Sequence, residues 1–154
     1  YTTYNEGNLF RISVPSNWRE LASNNNVTFA PEGAYGTVGG QSVFTHGVEV
    51  GVARADSNDL NGLTDQLIQS LRQSNPRLSN PDGHRRGTIG GRNALSTVLS
   101  NVSDATGDQE VVVLYTTQLS DGSLFYAIGV SPRQEYNAYA NVFRRVVSSI
   151  QFTR

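Results

Sequence analysis

Apolar and polar positions alternate with period two over much of this chain. In NLFRISVP (Asn8–Pro15), Phe10, Ile12 and Val14 fall on one side and Leu9, Arg11 and Ser13 on the other. This is the pattern of a strand with one buried face, and Pro15 ends it. VTFAP (Val27–Pro31) is a second, shorter strand. GQSVFTHGVEVGVAR (Gly40–Arg54) reads as one long strand. Phe44, His46, Val48, Val50 and Val52 share its apolar face, and Val43, Thr45, Gly47, Glu49, Gly51 and Ala53 the other. The run VVVLY inside Glu110–Leu119 is unbroken, as expected of a strand covered on both faces. SDGS (Ser120–Ser123) marks a tight turn, and Leu124–Ser131 returns as the partner strand. A further strand pair brackets the Gly90–Gly91 turn.

Two segments carry helical period instead. Leu60, Leu63, Leu67, Ile68 and Leu71 follow Asp59, a good N-cap, and Asn75-Pro76 closes the segment. Near the end, Tyr136, Tyr139, Phe143, Val146, Val147 and Ile150 form one stripe. Ser131, Pro132 and Gln134 have the spacing of a capping box ahead of it. Glu32–Gly40 is rich in glycine and reads as a loop that exposes Tyr35; Ser16–Trp18 begins a turn, and NPDG (Asn80–Gly83) and TGDQ (Thr106–Gln109) are turns. Doubly covered strands with two helices predict an α+β fold: a three-layer α/β/α sandwich, a twisted, mainly antiparallel sheet with a helix on each face. No repeat, linker or boundary divides residues 1–154, which are expected to form a single domain.

Composition narrows the chemistry. Cysteine is absent, which removes disulfides, thiolate nucleophiles and zinc–cysteine sites. All twelve basic residues are Arg, so Schiff-base and P-loop lysines are gone too. The net charge of -1 gives no electrostatic case for nucleic acid. The pairs Arg85–Arg86 and Arg144–Arg145 read as solvated surface. No apolar run approaches the ~20 residues of a membrane span.

Candidate chemistry is sparse. The two histidines stand in His46-Gly-Val-Glu49 and His84-Arg-Arg-Gly87, and neither has the HExxH spacing of a zinc hydrolase. No G-x-S-x-G elbow or G-x-G-x-x-G turn opens a helix. No catalytic residue, metal or cofactor is therefore assigned. Glu49, between two strand glycines, has two readings. It pairs with an arginine or lies at a sheet edge, or it lines a glycine-walled pocket for a polar ligand. His46 and Tyr35 are the companion candidates for ligand contact. On a strand, residues three apart face opposite ways, so His46 and Glu49 do not act together. Asn26-Val-Thr28 and Asn101-Val-Ser103 match the glycosylation pattern, which chance alone often produces.

FRISVPSNW (Phe10–Trp18), DGSLFYAIGVSP (Asp121–Pro132) and YANVFRRVVSSIQF (Tyr139–Phe152) together resemble the PsbP-like group. The group combines a Val-Pro-x-x-Trp turn with a final helix ending F-x-x-V-x-x-S-I-x-F. The resemblance implies an α/β/α sandwich and an exported, periplasmic or envelope-associated bacterial protein. NWRE, VTFAPEGAYG, THGVEVGVA and the closing helix resemble, more closely, the C-terminal accessory domain behind a bacterial HExxH zinc endopeptidase. That likeness implies a non-catalytic accessory or interaction domain, with another protein or the upstream peptidase domain as partner. The chain begins at Tyr1 without Met, which fits excision from a longer exported protein. The alternative is a stand-alone PsbP-like module that binds a small ligand or a protein in the envelope.

Overall fold

Helix α1 (Leu60–Ser74) and helix α2 (Tyr136–Ser148) lie on opposite faces of one antiparallel sheet in the computed structural model. The structure describes residues 1–7, 9–22, 26–38, 41–79, 83–103 and 106–153. The strands are β1 (Thr2–Glu6), β2 (Phe10–Val14), β3 (Trp18–Ala22), β4 (Asn26–Pro31), β5 (Tyr35–Val38), β6 (Gln41–Phe44), β7 (Gly47–Ala53), β8 (Arg85–Ile89), β9 (Arg92–Val102), β10 (Gln109–Gln118), β11 (Leu124–Pro132) and β12 (Gln151–Phe152). Among the described residues they form sheets of seven, three and two strands, ordered β3-β4-β7-β11-β10-β9-β8, β1-β2-β12 and β5-β6. This is the expected α/β/α sandwich, with the three-stranded sheet packed beside α2.

Strand alternation builds the two cores. Val48, Val50, Ala94, Val113, Phe125 and Ala127 point to the α2 side. They meet Phe143, Val146 and Val147 of the helix and Phe10, Ile12 and Val14 of β2. The next residues along, Leu99, Val112, Leu114, Ile128 and Val130, point the other way and meet Ile68 of α1. The apolar run of β10 is thus covered on both faces. Phe125 stacks edge-on against Phe10 and Phe152, with centroids 5.3 and 5.0 Å away, and so joins the small sheet to the large one.

Four local expectations are corrected. The segment Gly40–Arg54 is not one strand. It breaks at Thr45 and His46, because Gly47 has φ +142° and turns the chain from β6 into β7. Glu32–Gly40 is not simply a loop, since Tyr35–Val38 pairs with Gln41–Phe44; Gly39 and Gly40 lie outside the described residues, as does most of the NPDG turn. Residues 18–22, beyond the expected turn, form the edge strand β3, with Trp18 buried. The capping box at Ser131 is absent. Ser131 belongs to β11, opposite Val111, and Arg133–Glu135 form a 3-10 turn before α2 begins at Tyr136. Strand pairing holds Ser131 fully buried, where its Oγ has no hydrogen-bond partner among the described residues. Ser131→Ala should therefore leave thermal stability unchanged or raise it slightly, since an unpaired buried hydroxyl costs about 1–3 kcal/mol. A melting temperature several degrees lower would show that the hydroxyl has a structural partner.

Candidate functional site

Glu49 sits in the middle of β7, between Thr28 of β4 and Ile128 of β11, on the α1 face. Burial pushes its carboxyl above the usual carboxylate range. Among the described residues no ion pair holds it. Its neighbour is Tyr126, whose hydroxyl is pushed up by burial and by the Glu49 charge, against a hydrogen bond with Asn26. The two glycines beside Glu49 are accounted for by protein. A side chain at Gly51 would strike the Tyr126 ring, and one at Gly47 would strike the Phe29 carbonyl and Ala30. Each glycine thus admits a neighbouring protein group at close range.

His46 lies at the bend before β7, against the other helix. Its ring is 5.3 Å from that of Tyr139. Thr45 Oγ1 donates to the Ala34 carbonyl at 3.2 Å, which leaves Nδ1 of His46 to donate to Thr45 Oγ1 at 3.1 Å. Burial lowers the His46 pKa, with Glu135 acting against it. Tyr35 opens β5, opposite Phe44, and is half-buried rather than displayed on a loop. Glu49 and His46 therefore face opposite layers, and the structure does not bring them together.

The second histidine is engaged elsewhere. His84 Nε2 is 2.8 Å from Asp65 Oδ1 on α1, and Nδ1 is 2.6 Å from Thr97 Oγ1 on β9. It pins the helix to the sheet on the α1 side. Among the described residues no three His, Asp or Glu side chains gather as a metal site, and no helix is long and apolar enough to cross a membrane.

Two polar clusters had no signal in the sequence. Asn101 Nδ2 donates to Glu110 Oε1 at 2.8 Å in the interior, so this Asn is no glycosylation acceptor. Glu6 on β1 is hydrogen-bonded to Glu20 on β3, and its Oε1 is buried without a hydrogen-bond partner among the described residues. Burial first, then the shared proton and the Glu20 charge, push the Glu6 carboxyl from its ordinary 4.5 up to about 8. A raised carboxyl binds its proton more tightly when folded. The stability it contributes is complete below pH 4.5 and is lost as pH rises toward about 8. Thermal melts from pH 5 to 8 should thus fall in the wild type and flatten in Glu6→Gln. Equal slopes in the two proteins would refute the shared proton.

No family model matches the chain, and neither does any curated protein. Solved structures do. The solution structure of cyanobacterial PsbP from Synechocystis is 11% identical with a TM-score of 0.67, over 98% of this chain and 91% of that one. The fold is that of PsbP. The Ran-binding protein Mog1p of Saccharomyces cerevisiae shares it at 10% identity and TM-score 0.62, over 94% of this chain and 90% of its own. So does LpqN of Mycobacterium tuberculosis, involved in cell envelope biogenesis, at 14% and 0.58, over 94% and 83%. Within this PsbP fold, function resides in sites and not in the scaffold.

Proposed function

We propose that this chain is a non-catalytic accessory domain that works by binding another protein. The observation that carries the reading is the dispersal of its reactive side chains. Glu49 faces α1, His46 faces α2, and His84 is committed to Asp65 and Thr97. A nucleophile, its base and the group that orients the base must lie within hydrogen-bond reach of one another. Two neighbours in fold lend support: one is a Ran-binding protein and another takes part in cell envelope biogenesis. We place the chain outside the bacterial cytoplasm, as a single domain cut from a longer exported protein. Its partner on this reading is the zinc endopeptidase domain upstream, in keeping with NWRE, VTFAPEGAYG and THGVEVGVA.

The test is an assay of the isolated domain. Purified residues 1–154 should carry no stoichiometric zinc and cleave no casein, while binding the upstream domain in trans. Stoichiometric zinc or turnover would end the reading. A second reading makes the chain a small-ligand module of the bacterial envelope, with Glu49, His46 and Tyr35 as contacts. Its support is the half-buried Glu49 carboxyl beside the Tyr126 hydroxyl. Because Glu49 and His46 face different layers, that reading needs one of them to act alone.

A further inference from the structure

Arg144, from one arginine pair, lines a groove that opens beside β8, the strand that carries the other pair. β8 is the last strand of the seven-stranded sheet and, among the described residues, pairs only with β9. Its outer edge offers unpaired backbone groups, and every residue but Ile89 is exposed. Arg85 stands opposite Ser96, and Ser96 opposite Tyr115, so the three form one row across the α2 face. Helix α2 packs chiefly over β11 and β2. Between helix and sheet runs a groove of about 160 Å³, lined by Gly87, Ile89, Ala94, Tyr115, Arg144 and Val147. Gly87, with nothing within 4 Å of where a Cβ would stand, leaves the mouth open. Val98, two residues beyond Ser96 on the same face and opposite Val113 in the next row, is 51% exposed and adds apolar surface there.

The charge here is unbalanced. Arg144 is held along its helix by neutral groups, donating to the Ala140 carbonyl at 3.3 Å and to Asn141 Oδ1 at 2.9 Å. Burial first, then Tyr136, push the Tyr115 hydroxyl in the groove up, and the Arg144 guanidinium acts against them. Among the described residues neither Arg85, Arg86 nor Arg144 forms an ion pair. An open strand edge takes up extended peptide through backbone hydrogen bonds, and flanking pockets select alternate side chains. A second copy of this chain is a poor occupant, because β8 against β8 would set Arg85 and Arg86 against their own kind.

We propose that the groove between β8 and α2 docks an extended acidic segment of a partner protein, which adds a strand to β8 and sets a carboxylate against Arg144 and Tyr115. The proposal rests on the reading of the chain as an interaction domain and names the face and the chemistry of its partner. Arg85 meets a second carboxylate along the same strand, and Val98 an apolar side chain. Arginine suits this task, since its planar fork bonds a carboxylate through two N–H groups.

The probe is a capped hexapeptide of alternating Glu and Val, titrated into the ¹⁵N-labelled domain, with the Lys–Val counterpart as control. The Glu–Val peptide should shift the amides of Arg85–Ile89, Ser96 and Tyr115 saturably, and more weakly as salt rises. Arg144→Glu should loosen it about tenfold or more, as expected for losing one charge-assisted hydrogen bond. Arg85→Glu should do likewise. Arg144→Gln, with an unchanged melting temperature, should give a smaller loss and separates charge from misfolding. Equal binding of the Lys–Val peptide, no saturable shift on β8, or dimerisation through β8 would each overturn the groove. Binding of the upstream domain that survives Arg85→Glu with Arg144→Glu would also overturn it while leaving the interaction reading in place. Zinc or turnover in the isolated domain sinks that reading independently.

Discussion

Gly47→Ala should be among the most damaging single substitutions in this protein. Gly47 has φ +142°, a backbone conformation that costs a residue with a side chain about 1–3 kcal/mol. The added methyl would also run into the Phe29 carbonyl of β4 and approach the Ala30 Cβ at 2.9 Å. Backbone cannot swing aside as a side chain can, so overpacking adds about 1–3 kcal/mol. The sum is a large part of the marginal stability of a domain, typically about 5–15 kcal/mol. A chain of this size loses about 2–4 °C for each kcal/mol, so the melting temperature should drop by roughly 5–20 °C. A drop under about 2 °C would mean that β7 enters the sheet by another path. The position matters for function as well. Gly47 is where the β5–β6 hairpin hands the chain to β7, and it sets the register that puts Glu49 opposite Ile128. A less severe change at the same turn, Thr45→Val, removes the hydroxyl's bonds to the Ala34 carbonyl and to His46 and should cost about 1–3 kcal/mol.

Much of the fold was legible because burial on one face writes itself into the sequence as period two or 3.6. Phe10, Ile12 and Val14 are buried as their alternation implies, and Phe143, Val146, Val147 and Ile150 as their spacing implies. The doubly covered β10 announced itself by its unbroken valines. The strands that escaped lacked such a signal. β1 reads TTYNE, with mostly exposed residues, and β3 reads WRELA, where only Trp18 is buried. Both are edge strands, and a strand of that kind need not alternate. The break at Thr45–His46 was invisible for a different reason. Val48, Val50 and Val52 continue the alternation of the preceding residues, and only a positive φ at Gly47 interrupts it. Ser131 shows a local signal losing to a long-range one, since pairing with Val111 in the β10–β11 ladder outweighs one cap.

The candidate site was less legible than the fold. His46 and Glu49 do face apart, but not through strand alternation, because His46 lies in the bend before β7, where it packs on Tyr139. The groups that meet across the fold could not be read at all. Glu6 finds Glu20 only because β1 and β3 lie side by side in different sheets. Arg85 stands in one row with Ser96 and Tyr115, which line the groove beside Arg144, only through the pairing of β8, β9 and β10. Each pair reads as solvated charge until the topology supplies its neighbour.

Phe143→Ala should be as costly as Gly47→Ala, and it can be tested in a way that isolates its contact. Phe143 is fully buried and packs flat on the sheet at Gly129, where an added Cβ would come within 2.8 Å of its ring. It also meets Tyr139, 5.9 Å away between centroids, and through that ring reaches His46. Truncation leaves a ring-sized hole between α2 and β11 and should cost about 3–5 kcal/mol. Gly129→Ala alone should cost about 1–3 kcal/mol, because the methyl and the ring compete for one space. Together the two changes should cost less than their sum. With the ring gone, the methyl added at Gly129 no longer clashes and fills part of the hole. Urea denaturation of the two single variants and the double variant measures the coupling. Simple additivity within about 0.5 kcal/mol would show that Gly129 is not what seats the helix. A coupled pair would mean that the small residue in β11 sets how closely α2 approaches the sheet, and with it the width of the groove that Arg144 and Val147 of the same helix help to line.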